Sequence, residues 1–169
     1  MLLRYLKSYI CNSVAELRDI KEIDLNKSKV GKDFGCGFYL TPDKNQAYRM
    51  AEKKTLIIGQ GMPVLNKYEF DESLLQSYSL NILKFDAYTK EWADFVLMNR
   101  RNLSHVPTHD YDIVIGPIAN DSVGYQIRRY IEGIIDMDRF IEELKYMKGE
   151  TQQYFFGTEK SVKHLIKLS

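Results

Sequence analysis

The side chains best suited to chemistry in this sequence gather in one stretch, Gly31-Lys32-Asp33-Phe34-Gly35-Cys36-Gly37-Phe38-Tyr39-Leu40-Thr41. A glycine-spaced polar loop runs there straight into aromatic residues. Gly35 and Gly37 can take positive φ, or admit a close approach that a Cβ would block. Phe38, Tyr39, Leu40 and Thr41 favour a pleated strand. Such a loop and strand suit a ligand that stacks on the aromatic face; the same residues also describe an ordinary turn ahead of a core strand. Other candidates are sparse. His105 and His109 stand four apart, a metal-binding spacing on a helix, but Pro107 lies between them, so they are expected to be loop residues without a metal. Cys11 and Cys36 are too few for a disulfide scaffold and do not have the spacing of a zinc site. Asn99 and Arg100 end an apolar helical stripe, where they either cap the helix or face a ligand. Asp33 and Asp121 read as loop and cap residues, not as acid–base groups. No paired carboxylates, nucleophilic serine or thiol constellation offers a competing reaction.

The elements that must position these residues follow from pattern. Residues 2–10 are predicted as a first strand, with a short helix at 13–19 and an irregular loop over 20–32. Asp43, with Gln46 three residues on, predicts a capping box and a helix from Asp43 to Thr55, with Ala47, Met50 and Ala51 inward. Strands are expected at Met62–Phe70, with Val64, Tyr68 and Phe70 on one side, and at Ser79–Lys84, with a helical turn at 71–76 between them. Thr89 caps a helix over Lys90–Arg101, whose Trp92, Phe95, Val96 and Asn99 share a face widened by Leu97 and Met98. Tyr111–Pro117 is a near-continuous apolar run bounded by Gly-Pro, which predicts a buried central strand. Asn120 and Asp121 are expected to cap a helix through Val123, Ile127, Tyr130, Ile131 and Ile134. Asp138 is expected to cap another, with Phe140, Ile141 and Leu144 inward and Gly149 at its end. Residues 152–157 read as a strand, and Thr158–Ile166 as a closing amphipathic helix. The alternation is α+β, not a regular βαβ series.

Composition bounds the rest. The 169 residues are expected to form a single domain, 1–169, with one sizeable core. The 24 basic and 23 acidic residues leave a net charge of +1, so no bulk field announces a nucleic-acid partner. The apolar N-terminal residues are interrupted by Arg4 and Lys7, the pattern of neither a signal peptide nor a membrane span. With two cysteines, a reducing cytoplasm is the simplest compartment.

Gly35-x-Gly37-Phe38-Tyr39-Leu40-Thr41, followed at once by a helix with small residues, resembles the second signature of ADP-ribosyltransferases. In the poly(ADP-ribose) polymerase branch that signature is Gly-x-Gly-(Ile/Phe)-Tyr-Phe-(Ala/Ser). Lys32-Asp33-Phe34-Gly35, Trp92-x-Asp94-Phe95-Val96-x-x-Asn99-Arg100, Tyr111–Pro117 with Asn120-Asp121, and Gln153-Tyr154-x-Phe156 with Thr158-Glu159-Lys160 extend the likeness. Together they resemble a bacterial ADP-ribosyltransferase-like family of toxin–antitoxin character, over roughly residues 20–168. The resemblance implies an α+β fold of two small, mostly antiparallel sheets splayed around an NAD cleft, with helices outside.

It also implies mono-ADP-ribosyl transfer with NAD as substrate, an acceptor of unspecified class, and a small cognate antitoxin. Tyr39 would stack on nicotinamide and Gln153 would position the ribose. Gly35, Gly37, Phe38, Thr41, Asn99 and Arg100 would line the NAD site. A glutamine in the place of the family's late glutamate orients by hydrogen bonds only, which argues for transfer of one unit or for NAD hydrolysis over polymer elongation. The family's first motif carries a histidine, and here the first histidine is His105. Leu6, in Tyr5-Leu6-Lys7-Ser8, and Cys11, in Ile10-Cys11-Asn12-Ser13, stand at the nearest local matches, and Arg4 is a further candidate. That departure implies the alternative of a catalytically silent binding module.

Overall fold

The computed structural model describes residues 5–11, 20–119, 121–145 and 152–168. Among these the chain forms β1 (Tyr5–Cys11), β2 (Phe38–Leu40), α1 (Lys44–Ile58), β3 (Leu65–Asp71), β4 (Ile82–Lys84), α2 (Lys90–Arg101), β5 (Ile113–Pro117), α3 (Asp121–Ile131), α4 (Met137–Lys145), β6 (Gln152–Phe156), α5 (Glu159–Val162) and β7 (Leu165–Leu168). Two sheets result, one of three strands in the order β1-β3-β7 and one of four in the order β2-β6-β5-β4. Every pairing is antiparallel except β4 with β5. The α+β reading with two small, mostly antiparallel sheets therefore holds. No helix among the described residues is long and apolar enough to cross a membrane.

Strand alternation decides what each face of the four-stranded sheet does. Phe38, Leu40, Ile113, Ile115, Tyr154 and Phe156 point one way and meet Tyr68 and Phe70 of β3 in a shared core. The Phe38 ring stands edge-on to Tyr68 at 5.3 Å, and Phe70 edge-on to Phe156 at 5.3 Å, a geometry favoured by ring quadrupoles. The facing surfaces of the sheets are thus filled. Tyr39, Val114 and Phe155 point the other way, into a second core with Phe34, Trp92, Val96, Leu97, Val123, Ile127, Phe140 and Leu144. Helices α2, α3 and α4 cover that outer face.

The caps explain where several helices begin. Asp43 accepts from the N–H groups of Asn45 and Gln46, as its position before α1 predicts. The other half of the expected box is diverted: Gln46 Oε1 accepts from Thr41 Oγ1, which itself accepts from Asp43 N–H. Thr89 accepts from Trp92 N–H, and the indole N–H of Trp92 donates to the Pro117 carbonyl. At α4 the capping side chain is Asp136, which accepts from Arg139 N–H, and not Asp138, which lies within the first turn.

Other expectations are corrected in detail. Met50 and Met98 are 47% and 42% exposed, so α1 rests on the fold through Ala47 and Ala51, and α2 through Trp92, Ala93, Val96 and Leu97. Ile131 and Ile134 are exposed at the end of α3. The strand expected over Met62–Phe70 begins only at Leu65, after Pro63, which has no N–H to give a ladder. Those expected from Ser79 and Tyr111 begin at Ile82 and Ile113. The closing helix is one turn, Glu159–Val162, sealed by a Thr158–Ser161 capping box; Leu165–Leu168 then pairs with β3. A short apolar run fits either period, and the open edge of β3 decides it. The expected helix at 13–19, Asn120, Gly149 and Arg4 lie outside the described residues.

Candidate functional site

The loop ahead of β2 is built by its glycines and closed by Tyr39. Gly35 sits at φ +95°, a conformation that side chains rarely adopt. Gly37 serves differently: a Cβ there would overlap the ring of Phe155, and one at Gly157 would come within 2.6 Å of the same ring. Two glycines therefore box Phe155 from either side. The Tyr39 hydroxyl donates to the Gly35 carbonyl at 2.7 Å and accepts from Phe34 N–H at 3.0 Å. Burial, with Asp33 adding to it, holds the Tyr39 phenol well above its usual range, so it stays protonated. The Tyr39 ring stands edge-on to Phe155 at 5.2 Å and lies parallel to Phe34 at 6.5 Å.

Antiparallel pairing sets Tyr39 opposite Phe155, and Gly116 opposite Gln153. Opposed residues share a face, and so do residues two apart, so Tyr39, Phe155 and Gln153 lie on one face of the sheet. Tyr39 and Gln153 are diagonal neighbours, about 7–8 Å apart by strand geometry. That face is the outer one, beneath α2, and not the one between the sheets.

Asp33 gathers the polar residues. Its Oδ1 accepts from Arg100 Nε at 2.8 Å and pairs with the terminal nitrogen Nη2 at 2.7 Å. Its Oδ2 accepts from Gln153 Nε2 at 3.0 Å and from Ala119 N–H at 3.3 Å. Arg100 Nη2 also reaches the Ala119 carbonyl at 3.4 Å. One carboxylate thus fastens the glycine loop, the end of α2, the segment before α3 and the start of β6. Its side chain is only 12% exposed, and that of Arg100 25%. In the sequence Asp33 reads as a loop residue, and it is one. The signal for its larger part was Arg100, a cation beside the buried Asn99 that needs an anion from elsewhere in the chain.

The remaining candidates divide. Asn99 is buried, donates to the Phe95 carbonyl and accepts from Thr108 Oγ1 at 2.6 Å, so it fastens the loop after α2. Its Oδ1 lies 3.0 Å from where a Gly35 Cβ would stand, which brings it beside the glycine loop. Thr41 is tied to Gln46 and to the start of α1. Phe38 points into the core between the sheets and is not brought together with Tyr39.

His109, expected from the sequence as a loop histidine, sits against Phe95 and Phe155. Its Nδ1 accepts from Tyr111 N–H, so its Nε2–H donates to the Phe34 carbonyl at 2.9 Å. Burial lowers its pKa, which keeps it neutral near pH 7. Both ring nitrogens are therefore spoken for. Cys36 Sγ lies 3.7 Å from His105 Nδ1, and burial raises the thiol pKa, away from the thiolate a nucleophile needs. Among the described residues no group of His, Cys, Asp or Glu is arranged to hold a metal.

What remains is a ring, an amide, a guanidinium and a carboxylate, the last held by the other two polar groups. Such a set can orient a polar ligand by ring contact and hydrogen bonds.

The family described as "Protein of unknown function (DUF3990)" matches residues 15–167, and the chain belongs to that family. No curated protein and no solved structure matches it.

Proposed function

We propose that this protein binds NAD on the Tyr39–Gln153 face and transfers its ADP-ribose unit to an acceptor, in the manner of a mono-ADP-ribosyltransferase. The observation that carries the reading is that Tyr39 and Gln153 share one face of adjacent strands, with the Asp33 carboxylate joining Gln153 to the glycine loop. These are the two positions at which the sequence resembles the transferase signatures. In the reaction the bond between nicotinamide N1 and ribose C1′ breaks, and its electron pair leaves with nicotinamide. The ribose carbon gains oxocarbenium character, and an acceptor atom attacks it and loses a proton; with water as acceptor the outcome is NAD hydrolysis. The protein's part is to hold the ring and the ribose so that this charge develops in a fitted environment. The Tyr39 ring would lie beside nicotinamide and Gln153 would bond the ribose hydroxyls. A small companion protein that silences the site belongs with this reading.

A second reading is a silent member that keeps the fold to bind a partner. It is favoured by one observation: His109, which sits against Phe155 beside Tyr39, has both ring nitrogens engaged and cannot stand in for the family's first-motif histidine.

Calorimetric titration with NAD, with nicotinamide release followed in the same sample, separates the two. Binding with release supports transfer or hydrolysis. Absence of binding at millimolar NAD overturns the enzyme reading and leaves the binding module.

A further inference from the structure

We propose that Asp33 is a positioning residue that fixes the orientation of the Gln153 carboxamide, so that Gln153 offers a ligand its acceptor oxygen and not its donor nitrogen. The ligand class this selects is one with a hydroxyl donor, such as a ribose diol; that half of the inference rests on the NAD reading above.

The argument is one of donor and acceptor capacity. The two ends of a carboxamide are chemically distinct, the NH2 donating and the oxygen accepting. Here the partner is a carboxylate, which can only accept. Asp33 Oδ2 lies 3.0 Å from the Gln153 amide, so the group facing it must be the NH2. Arg100 contributes two contacts to Oδ1 and Ala119 N–H one to Oδ2, which keeps the carboxylate in place as an acceptor. The carboxamide is planar, so with its nitrogen on Asp33 its oxygen is directed away from that carboxylate. Gln153 is 8% exposed, and charge-assisted bonds in such surroundings are the strong ones. The same geometry bears on residue choice. A glutamate at 153 would set two carboxylates against each other, an arrangement that forces one to take up a proton. Glutamine at this position and aspartate at position 33 form a matched pair.

The test uses the full chain labelled with 15N-glutamine. In the wild type, the Gln153 side-chain amide, assigned by its loss in Gln153→Glu, is expected to exchange with solvent at least about tenfold more slowly than that of the exposed Gln60, as a buried bonded group should. In Asp33→Asn the remaining oxygen stays with the two Arg100 donors and the NH2 turns to Gln153, so that protection should be lost and NAD binding weakened by about 10- to 100-fold, the size of one charge-assisted hydrogen bond. Gln153→Glu alone should be comparably impaired. The double variant Asp33→Asn with Gln153→Glu restores a donor facing an acceptor, and should bind NAD within about threefold of wild type. A merely structural Asp33 would not be rescued by that exchange.

Wild-type exchange at Gln153 as fast as at Gln60 overturns the inference whatever NAD does. Protection at Gln153 without NAD binding leaves the orientation standing and overturns the functional reading instead. Protection together with unchanged NAD binding in Asp33→Asn overturns the positioning role.

Discussion

Tyr39 does two jobs with two parts of one side chain, and substitution can part them. Its hydroxyl holds the glycine loop closed through Gly35 and Phe34, while its ring packs beside Phe34 and Phe155 at the outer core. Tyr39→Phe leaves a carbonyl and an N–H without their partner, so unfolding in urea should show a loss of about 1–3 kcal/mol. On the proposed NAD reading, affinity in the calorimeter should stay near that of wild type, because the ring itself survives. His109 adds a pH dependence of known sign. Its folded pKa lies below the unfolded value near 6.5, so its contribution is complete above about pH 6.5 and lost as pH falls through the folded pKa. Protonation would put a second N–H against Tyr111 N–H. Urea midpoints should therefore drop on acidification below about pH 6.5, and His109→Gln should flatten that part of the profile.

At the scale of elements, α2 meets the candidate site at one end and is anchored at the other. Thr89 caps its start and Trp92 bonds Pro117, whereas Arg100 meets Asp33 one residue before its finish. Thr89→Ala should cost about 0.5–2 kcal/mol in chemical denaturation. The protected Gln153 amide should be unmoved, since the loss falls at the far end of the helix. This helix was legible from residue 90 to residue 101, because cap, stripe and terminal arginines all agree. The end of the chain was not. Leu165–Leu168 holds too few residues for its period to be read, and only the vacant side of β3 makes it a strand. The candidate site was legible in part: Tyr39 and Gln153 were singled out by resemblance and fall on one face, while Asp33 was not, because nothing local connects it with Arg100 or Gln153.

At the scale of the molecule, two cores share the central strands. The inter-sheet core depends on ring-on-ring contacts, with Phe70 and Phe156 both almost wholly buried. Phe70→Ala should destabilise by about 3–5 kcal/mol, read from the shift of the urea midpoint. The outer core carries the candidate site, and with Phe155 boxed between Gly37 and Gly157 it has little room to repack. Alternation, legible at β3, and the continuous apolar run of β5 account for both cores. Which residues share a face with Tyr39 depended on which sheet β2 joined, a matter of long-range pairing that no local pattern encodes.

The order of strands has a consequence for how the protein comes into being. β2, which bears Tyr39, has β6 as its partner in the sheet, and Phe38 pairs with Phe156. A ribosome must therefore have translated past residue 156 before the glycine loop meets the strand that orients it. Until then Tyr39 and Gln153 belong to unconnected parts of a nascent chain. The face that Tyr39 and Gln153 share therefore cannot form until the chain has been made through β6.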